Sequence, residues 1–274
     1  MRYLAAVVQL TTTNDPVASV ADAESKVREA AARGARFVAL PEAVNFLGRE
    51  EDKKTVAERL EDGPTFQRFG AWARELSITL SAGSIPETSD EPERLHNTSV
   101  LFGPDGTARA VYRKIHLFDA EVGDGRSYRE SARTKPGTEG VIAETELGRF
   151  GLSICYDLRF PSLYRAYARA KADVLLVPSA FTVPTGQLHW EILLRARAIE
   201  NQCFVVAAAQ VGDHGRGRRT YGHSMIVDPS GRILAQIPSG PGVAVAEIDL
   251  SVRAEWAQRL PTSQQERPFE VRSL

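Results

Sequence analysis

The chain has 274 residues, 43% of them hydrophobic, with 34 basic and 35 acidic side chains and a formal net charge of -1. That is enough for a sizeable α/β core, and the balanced charge argues against nucleic acid or an anionic membrane as the main partner, which points to a small molecule. Two cysteines cannot build a disulfide framework and no metal-type Cys/His spacing accompanies them, so free thiols in a reducing compartment, the cytoplasm, are expected.

The N-terminal MRYLAAVVQL reads as a first strand, too short and too soon interrupted by TTTND for a signal segment, and no run approaches the roughly 20 apolar residues of a membrane span. VASVADAESKVREAAARGA has helical spacing at Val20, Ala23, Val27 and Ala31, stops at Gly34 and leads into the apolar RFVALPE, a β-α-β unit. A second helix, FQRFGAWARELSI, follows Gly63-Pro64 and runs into TLSAGSI. The stretch NTSVLFGPDGTARAVYRKIH reads as a hairpin turning at Gly103-Pro104-Asp105-Gly106.

The second half repeats the plan. VIAETELGRFGLSICYD is a hairpin expected to turn at Leu147-Gly148-Arg149, followed by the helix PSLYRAYARAKA, the strand DVLLVPS, the helix LHWEILLRARAIEN and the strand CFVVAAAQ. The strands HSMIVDPSGRILAQI and GVAVAEIDL, a helix over 249–260 and a polar tail close the chain. With short connections and no linker, the pattern predicts one domain over residues 1–274. The continuously apolar strands RFVAL, DVLLV and FVVAAA need cover on both faces, which two stacked sheets with helices outside supply.

Three strand ends carry side chains suited to chemistry. Cys155 follows the apolar FGLSI and precedes a helix with Pro161 at its first position, which places the thiol in a strand-to-helix turn near a positive helix end, a setting expected to lower its pKa. The N–H of Tyr156 is then positioned to hold an oxyanion. Glu42 follows Pro41 at the end of RFVAL, and Lys114 ends the strand AVYRK. A lone cysteine is ordinarily a small core residue, and single charges at strand ends are ordinarily solvated. An acid, a cation and a thiol at three strand ends suit acyl transfer from an amide. Glu42, raised in pKa by burial, takes the thiol proton, Cys155 forms a thioester and Lys114 stabilises the oxyanion.

The segments LPEAVNF, YRKIHLFD and GLSICYDLRFP resemble, in this order, the Glu-Lys-Cys signature of the nitrilase superfamily of carbon-nitrogen hydrolases, and the resemblance covers nearly the whole chain. It implies a four-layer α-β-β-α sandwich of two stacked mixed sheets with helices outside. It further implies a homodimer or larger assembly, no metal or organic cofactor, and a supporting glutamate that maps to Glu130 in GRSYRESART. Spacing alone would also admit Asp119, Glu121 or Asp124. CYDLRFP lacks the Cys-Trp-Glu continuation of enzymes acting on true nitriles, and SAFTVPTGQLHWEILLRARAIENQCFVVAAAQVG with RRTYGHSMIVDPSG resembles the deaminated glutathione amidases more than the ω-amidases. An anionic 2-oxo acid amide is thus the expected substrate class. Arg159 is then a candidate carboxylate partner, or else a structural partner of Asp157, and Phe46, Phe181 and Thr182 are candidate pocket residues. The expectation is hydrolysis of a linear, non-peptide amide with release of ammonia. ω-Amidase or N-carbamoyl amino acid hydrolysis is the nearest alternative, and an inactive scaffold the alternative of another class.

Other signals point elsewhere. The pair in HWE faces two directions on a helix, so His189 is not expected to act as a base. Cys203 reads as core, and His214 and His223 lack companions for a metal. The loop GDHGRGRRT, with Arg216, Arg218 and Arg219, reads either as an anion-binding lid or as a solvated basic loop. No G-x-G-x-x-G follows the first strand, which excludes the dinucleotide-binding fingerprint, and the aromatic platforms of an RNA-binding surface are missing.

Overall fold

The computed structural model describes residues 1–215 and 217–273. In chain order it runs β1 (Arg2–Gln9), α1 (Pro16–Ala32), β2 (Phe37–Ala39), α2 (Pro64–Leu76), β3 (Thr79–Ser81), β4 (Ile85–Thr88), β5 (Leu95–Phe102), β6 (Ala108–Arg113), β7 (Asp119–Glu121), β8 (Ser127–Arg129), β9 (Val141–Thr145) and β10 (Gly148–Leu152). There follow α3 (Pro161–Arg169), β11 (Val174–Leu176), α4 (Val183–Thr185), α5 (Glu191–Asn201), β12 (Phe204–Ala207), β13 (Val211–Asp213), β14 (Arg219–Tyr221), β15 (Met225–Val227), β16 (Ile233–Gln236), β17 (Gly242–Asp249), α6 (Leu250–Arg259) and α7 (Thr262–Gln265).

Two sheets carry the molecule. The first has the order β17-β1-β2-β3-β5-β4, with β6 also paired to β5, and the second β16-β15-β12-β11-β10-β9. Each has three parallel strands at its centre, β1-β2-β3 in one and β10-β11-β12 in the other, flanked by antiparallel neighbours. Buried parallel strands need apolar residues on both faces. In β1, Ala6 and Val8 pack under α1 and α2, against Val20, Val27, Phe69 and Trp72, whereas Tyr3, Ala5 and Val7 face the second sheet. The inter-sheet layer includes Phe37 of β2 stacked on Phe150 of β10, with centroids 4.8 Å apart and rings 13° from parallel. Beyond the second sheet, Tyr164 and Tyr167 of α3 and Leu194 and Ala198 of α5 complete the fourth layer. The stacked-sheet architecture expected from the sequence is the one found.

Local departures have physical causes. The β9-β10 turn lies at Glu146-Leu147, one residue earlier than expected, because Leu147 is fully buried and Thr145 Oγ1 both accepts from its N–H at 3.1 Å and donates to Gly148 O at 3.1 Å. TLSAGSI is two strands and not one. It breaks at Gly83, whose φ of 64° needs glycine and where a Cβ would collide with the Pro41 carbonyl, so the turn before Glu42 packs directly on this backbone. The two short hairpins β7-β8 and β13-β14 escaped the sequence reading, because their strands of three residues carry no usable periodicity. The tail is docked at Glu266, 3.1 Å from Arg165 and 2.8 Å from Arg169.

Phe150→Ala should remove the contact that couples the sheets and cost about 3–5 kcal/mol. In urea titrations the midpoint should fall at an unchanged m-value; a loss below about 1 kcal/mol would show that the sheets do not depend on this stack.

Candidate active site

β10 feeds the segment that carries the thiol. Beyond Leu152 the parallel pairing continues, with Ser153 N–H donating to Leu176 O at 3.2 Å and Cys155 N–H to Pro178 O at 2.9 Å. Cys155 then turns the chain at φ 50°, a left-handed conformation that costs a non-glycine residue roughly 1–3 kcal/mol, into a short 3-10 turn, Cys155–Arg159. The fully buried Asp157 carboxylate holds that turn. It accepts from Ile154 N–H at 2.8 Å, His116 N–H at 3.0 Å and Tyr112 O–H at 2.6 Å, and it lies 2.7 Å from His116 Nδ1. The thiol's backbone is thereby tied to the strand and loop on either side of Lys114.

Glu42 and Lys114 arrive from the first sheet. Lys114 N–H donates to Asn97 O at 2.9 Å. Its Nζ donates to Glu42 Oε1 at 3.0 Å and to Glu130 Oε1 and Oε2 at 3.0 and 2.9 Å. Asn97 Nδ2 donates to the same Glu42 oxygen at 2.9 Å, Gln210 Nε2 donates to Glu42 O at 2.9 Å, and Phe118 N–H donates to Glu130 Oε2 at 2.6 Å. The Cys155 thiol and the Glu42 carboxylate are close enough to influence each other's protonation, and both line the same cavity. Of the loop acids, Glu130 alone makes an ion pair with Lys114 among the described residues; Asp119 bonds Ser131, Glu121 bonds Arg129 and Asp124 bonds Tyr128.

Burial sets the charges. It pushes the Glu42 carboxyl up, but the Lys114 ammonium, the neighbouring Cys155 thiol and Lys53 together bring it below the usual glutamate range. The expectation of a raised Glu42 is thus corrected, because the ammonium at 3.0 Å, the Cys155 thiol and Lys53 together outweigh desolvation. Burial disfavours the Lys114 ammonium, yet Glu130, Glu42 and Cys155 hold its pKa well above the ordinary lysine value. The Cys155 thiol is raised by burial and by Glu42, against the opposing influence of Lys114 and the Ala180 N–H. This corrects the lowered pKa expected from a helix end: a neighbouring carboxylate and a dry site outweigh the dipole of one short turn. The resting site therefore holds a neutral thiol beside an ionised carboxylate and a protonated amine.

Glu42, Lys114, Glu130, Cys155, Ala180 and Phe46 line a cavity of about 480 Å³. Tyr156 is the second residue of the 3-10 turn, so its N–H has no acceptor within that turn. Tyr156, Arg159, Phe181 and Thr182 all lie off the cavity lining. Arg159 packs its guanidinium over Phe181 at 5.4 Å and Tyr156 at 5.9 Å, with Nη1 3.2 Å from His189 Nδ1. It has no carboxylate partner among the described residues, because Asp157 is already engaged. Phe181 packs on Trp190 at 4.8 Å and Thr182 bonds Thr185 at 2.8 Å. Cys203 is core, His223 stacks on Tyr221 at 4.2 Å, and Arg216 lies outside the described residues. Sequence reasoning missed Asn97 and Gln210, and weighed Asp157 only as a partner for Arg159. Asp157 could have been found from its place at the third position of a turn that opens on Cys155; the two amides carry no such signal.

A thiol, two carboxylates and an ammonium meeting at strand ends form a set suited to acyl transfer at a carbonyl carbon. The chain belongs to the carbon-nitrogen hydrolase family, whose model matches residues 4–258, and it is a hydrolase of the nitrilase superfamily. A deaminated glutathione amidase from Synechocystis is 43% identical over 265 residues, 96% of this chain and 97% of that protein. The human deaminated glutathione amidase is 42% identical over 97% of this chain and 82% of its own. Among solved structures, the Caenorhabditis elegans NitFhit protein superposes with a TM-score of 0.90 at 39% identity, over 97% of this chain and 65% of the worm chain. An amidase from Nesterenkonia, as a mutant carrying the acetamide moiety of fluoroacetamide covalently on its active-site cysteine, matches with a TM-score of 0.80 at 26% identity over 96% of this chain and 95% of its own.

If Glu42 is the base it must be ionised to accept a proton, and its pKa is depressed, so kcat/KM should hold down to below about pH 4.5 as far as the fold permits. Lys114 and Cys155 are raised, which places the alkaline limb above about pH 9. Between about pH 5 and 8.5 the profile should be flat; an inflection near pH 6.5 would implicate a histidine instead.

Proposed function

We propose that the protein is an amidase acting through a thioester on Cys155, with the 2-oxo acid amide deaminated glutathione as its substrate. The observation that supports this best is Glu42, hydrogen-bonded to the Lys114 ammonium and set beside the Cys155 thiol, with all three side chains lining one cavity. In this reading Glu42 accepts the thiol proton as Sγ bonds the carbonyl carbon. The carbonyl electron pair moves onto oxygen, stabilised by Lys114 and the Tyr156 N–H. Collapse breaks the C–N bond, and the departing amine takes the proton from Glu42. Water, deprotonated by Glu42, then attacks the thioester; the C–S bond breaks as the carboxylic acid leaves, and the proton on Glu42 passes to sulfur, restoring the thiol and the ionised carboxylate. Glu130 holds Lys114 in place and charged, and no metal or organic cofactor takes part.

The substrate rests on the relatives at 42–43% identity. In deaminated glutathione the scissile amide joins a 2-oxoglutaryl group to cysteinylglycine. The amine released is then that dipeptide, where a primary amide would release ammonia. The reading extends to a single domain over the whole chain and a cytoplasmic homodimer. The exposed Leu188, in the π-helical turn that leads into α5, and the exposed Ile192 and Ile199 of α5 are the apolar surface that supports association.

Mass spectrometry of enzyme exposed to deaminated glutathione tests both parts. Glu42→Gln should accumulate a 2-oxoglutaryl adduct on Cys155, Cys155→Ala should carry none, and each should lower kcat by roughly 10³-fold or more. An adduct on Cys203, or an active Cys155→Ala protein, would refute the nucleophile. Fast hydrolysis of α-ketoglutaramate with none of deaminated glutathione would refute the substrate.

A further inference from the structure

The cavity wall away from Cys155 is strongly biased in charge. Apart from Glu42, Lys114 and Glu130, the described lining residues include seven lysines and arginines against three glutamates. Two of these cations form a built feature. Arg218, from the β13-β14 loop, has Nη1 3.2 Å from Glu50 Oε1, and Lys53, from the 3-10 turn Glu51–Thr55, has Nζ 2.7 Å from Glu50 Oε2. One carboxylate thus pins two cations, and the trio keeps a net positive charge. Burial pushes the Glu50 carboxyl up, but Lys53 and Arg218 hold it down at about 2, so it remains an anion throughout the working range.

The arginine is not on a loose loop. His214 N–H donates to Arg218 O at 2.9 Å and Arg218 N–H to Gly215 O at 3.1 Å. The buried His214 ring is itself clamped, Nδ1 at 2.7 Å from Thr12 O and Nε2 at 2.6 Å from Thr220 Oγ1, and burial lowers its pKa to about 4, so it is a neutral anchor. Among the described residues Arg218 commits only Nη1. Its Nε and Nη2 remain to grip both oxygens of a second carboxylate, the paired geometry a guanidinium suits and an ammonium does not.

The acyl half of the substrate stays on sulfur at the closed end, beside Cys155 and Lys114, which are 9% and 2% exposed. The amine half must depart past the rim, where the Arg218 and Lys53 side chains are 21% and 20% exposed. We infer that Arg218, seconded by Lys53, is a binding site for a carboxylate carried by the leaving amine, so that the enzyme selects amides whose leaving group is an amino acid or peptide over those that release ammonia. This rests on the amidase reading above and adds to it the chemistry of the leaving side. It also gives the loop GDHGRGRRT a role that neither a free lid nor a merely solvated loop would have.

The test compares kcat/KM for three amides of one 2-oxo acid: the cysteinylglycine amide, the same compound with its C-terminal carboxylate blocked as a carboxamide, and the primary amide. The wild type should favour the free carboxylate over its carboxamide by about tenfold, mainly through KM, with the advantage shrinking at high salt. Arg218→Gln should collapse that ratio to near one, Arg218→Lys should restore part of it, and Lys53→Met should reduce it. Equal rates on the two dipeptide amides in the wild type, or a uniform loss on both in Arg218→Gln, overturns the rim site and leaves the amidase reading standing. Hydrolysis of none of the three by the wild type overturns both.

Discussion

An ammonium with only 2% of its side chain exposed, held by two carboxylates, is the interaction on which the site's geometry turns. Taking Lys114 out of water is costly, and so is burying Glu42; the two are tolerable together because each cancels the other's charge at 3.0 Å. Glu130 adds a second negative charge, and the hydrogen bonds from Phe118 N–H and Asn97 Nδ2 satisfy the lone pairs that the lysine leaves over. Removing any one member strands a buried charge, so the triplet stands or falls as a unit. The same balance sets proton occupancy. Lys114, with the Cys155 thiol and Lys53, keeps Glu42 ionised in spite of burial, and burial together with the ionised Glu42 keeps the nearby thiol protonated. Under the proposed mechanism the base is therefore armed and the nucleophile silent until a carbonyl enters.

The fold delivers these groups by repetition. Each sheet has a β-α-β-α-β core, so each presents strand carboxyl ends at one rim, and stacking the sheets brings the two rims together. Glu42 lies just beyond β2 and Cys155 just beyond β10, the strands whose Phe37 and Phe150 stack across the interface. Packing between the sheets and the distance between the proposed catalytic groups are thus set by the same contacts. Asp157 does locally what the sheets do globally. Its four close polar neighbours tie the strained Cys155 turn to Tyr112 and His116, which flank Lys114 in sequence. The strain of the left-handed cysteine is held by a network that would otherwise be unsatisfied in the core.

Charge changes character along the cavity. At the closed end every ionised group is paired and dry, which suits proton transfer. Toward the rim, cations exceed anions and are partly wetted, which suits capture of an anion. The division follows from where each group comes from: strand ends are buried between layers, whereas the β13-β14 loop and the 3-10 turn after Glu50 lie outside them.

The alternation of apolar strands and amphipathic helices determined the stacked-sheet class, because only cover on both faces lets runs such as DVLLV avoid water. Three motifs likewise marked Glu42, Lys114 and Cys155, each at the end of a strand that the local pattern revealed. Glu130 was legible through family resemblance alone, since spacing could not separate it from Asp119, Glu121 and Asp124. Only the tertiary structure decided the direction of the Glu42 and Cys155 pKa values, which depend on distances between residues 72 and 113 positions apart along the chain. It alone found Asn97, Gln210 and the Asp157 network, showed that Arg159 stacks on aromatic rings, and joined Arg218 to Glu50 across 168 positions of sequence. Periodicity reports which face of an element is buried; it carries no information about which distant polar group waits on the other side, and that is where the chemistry of this site resides.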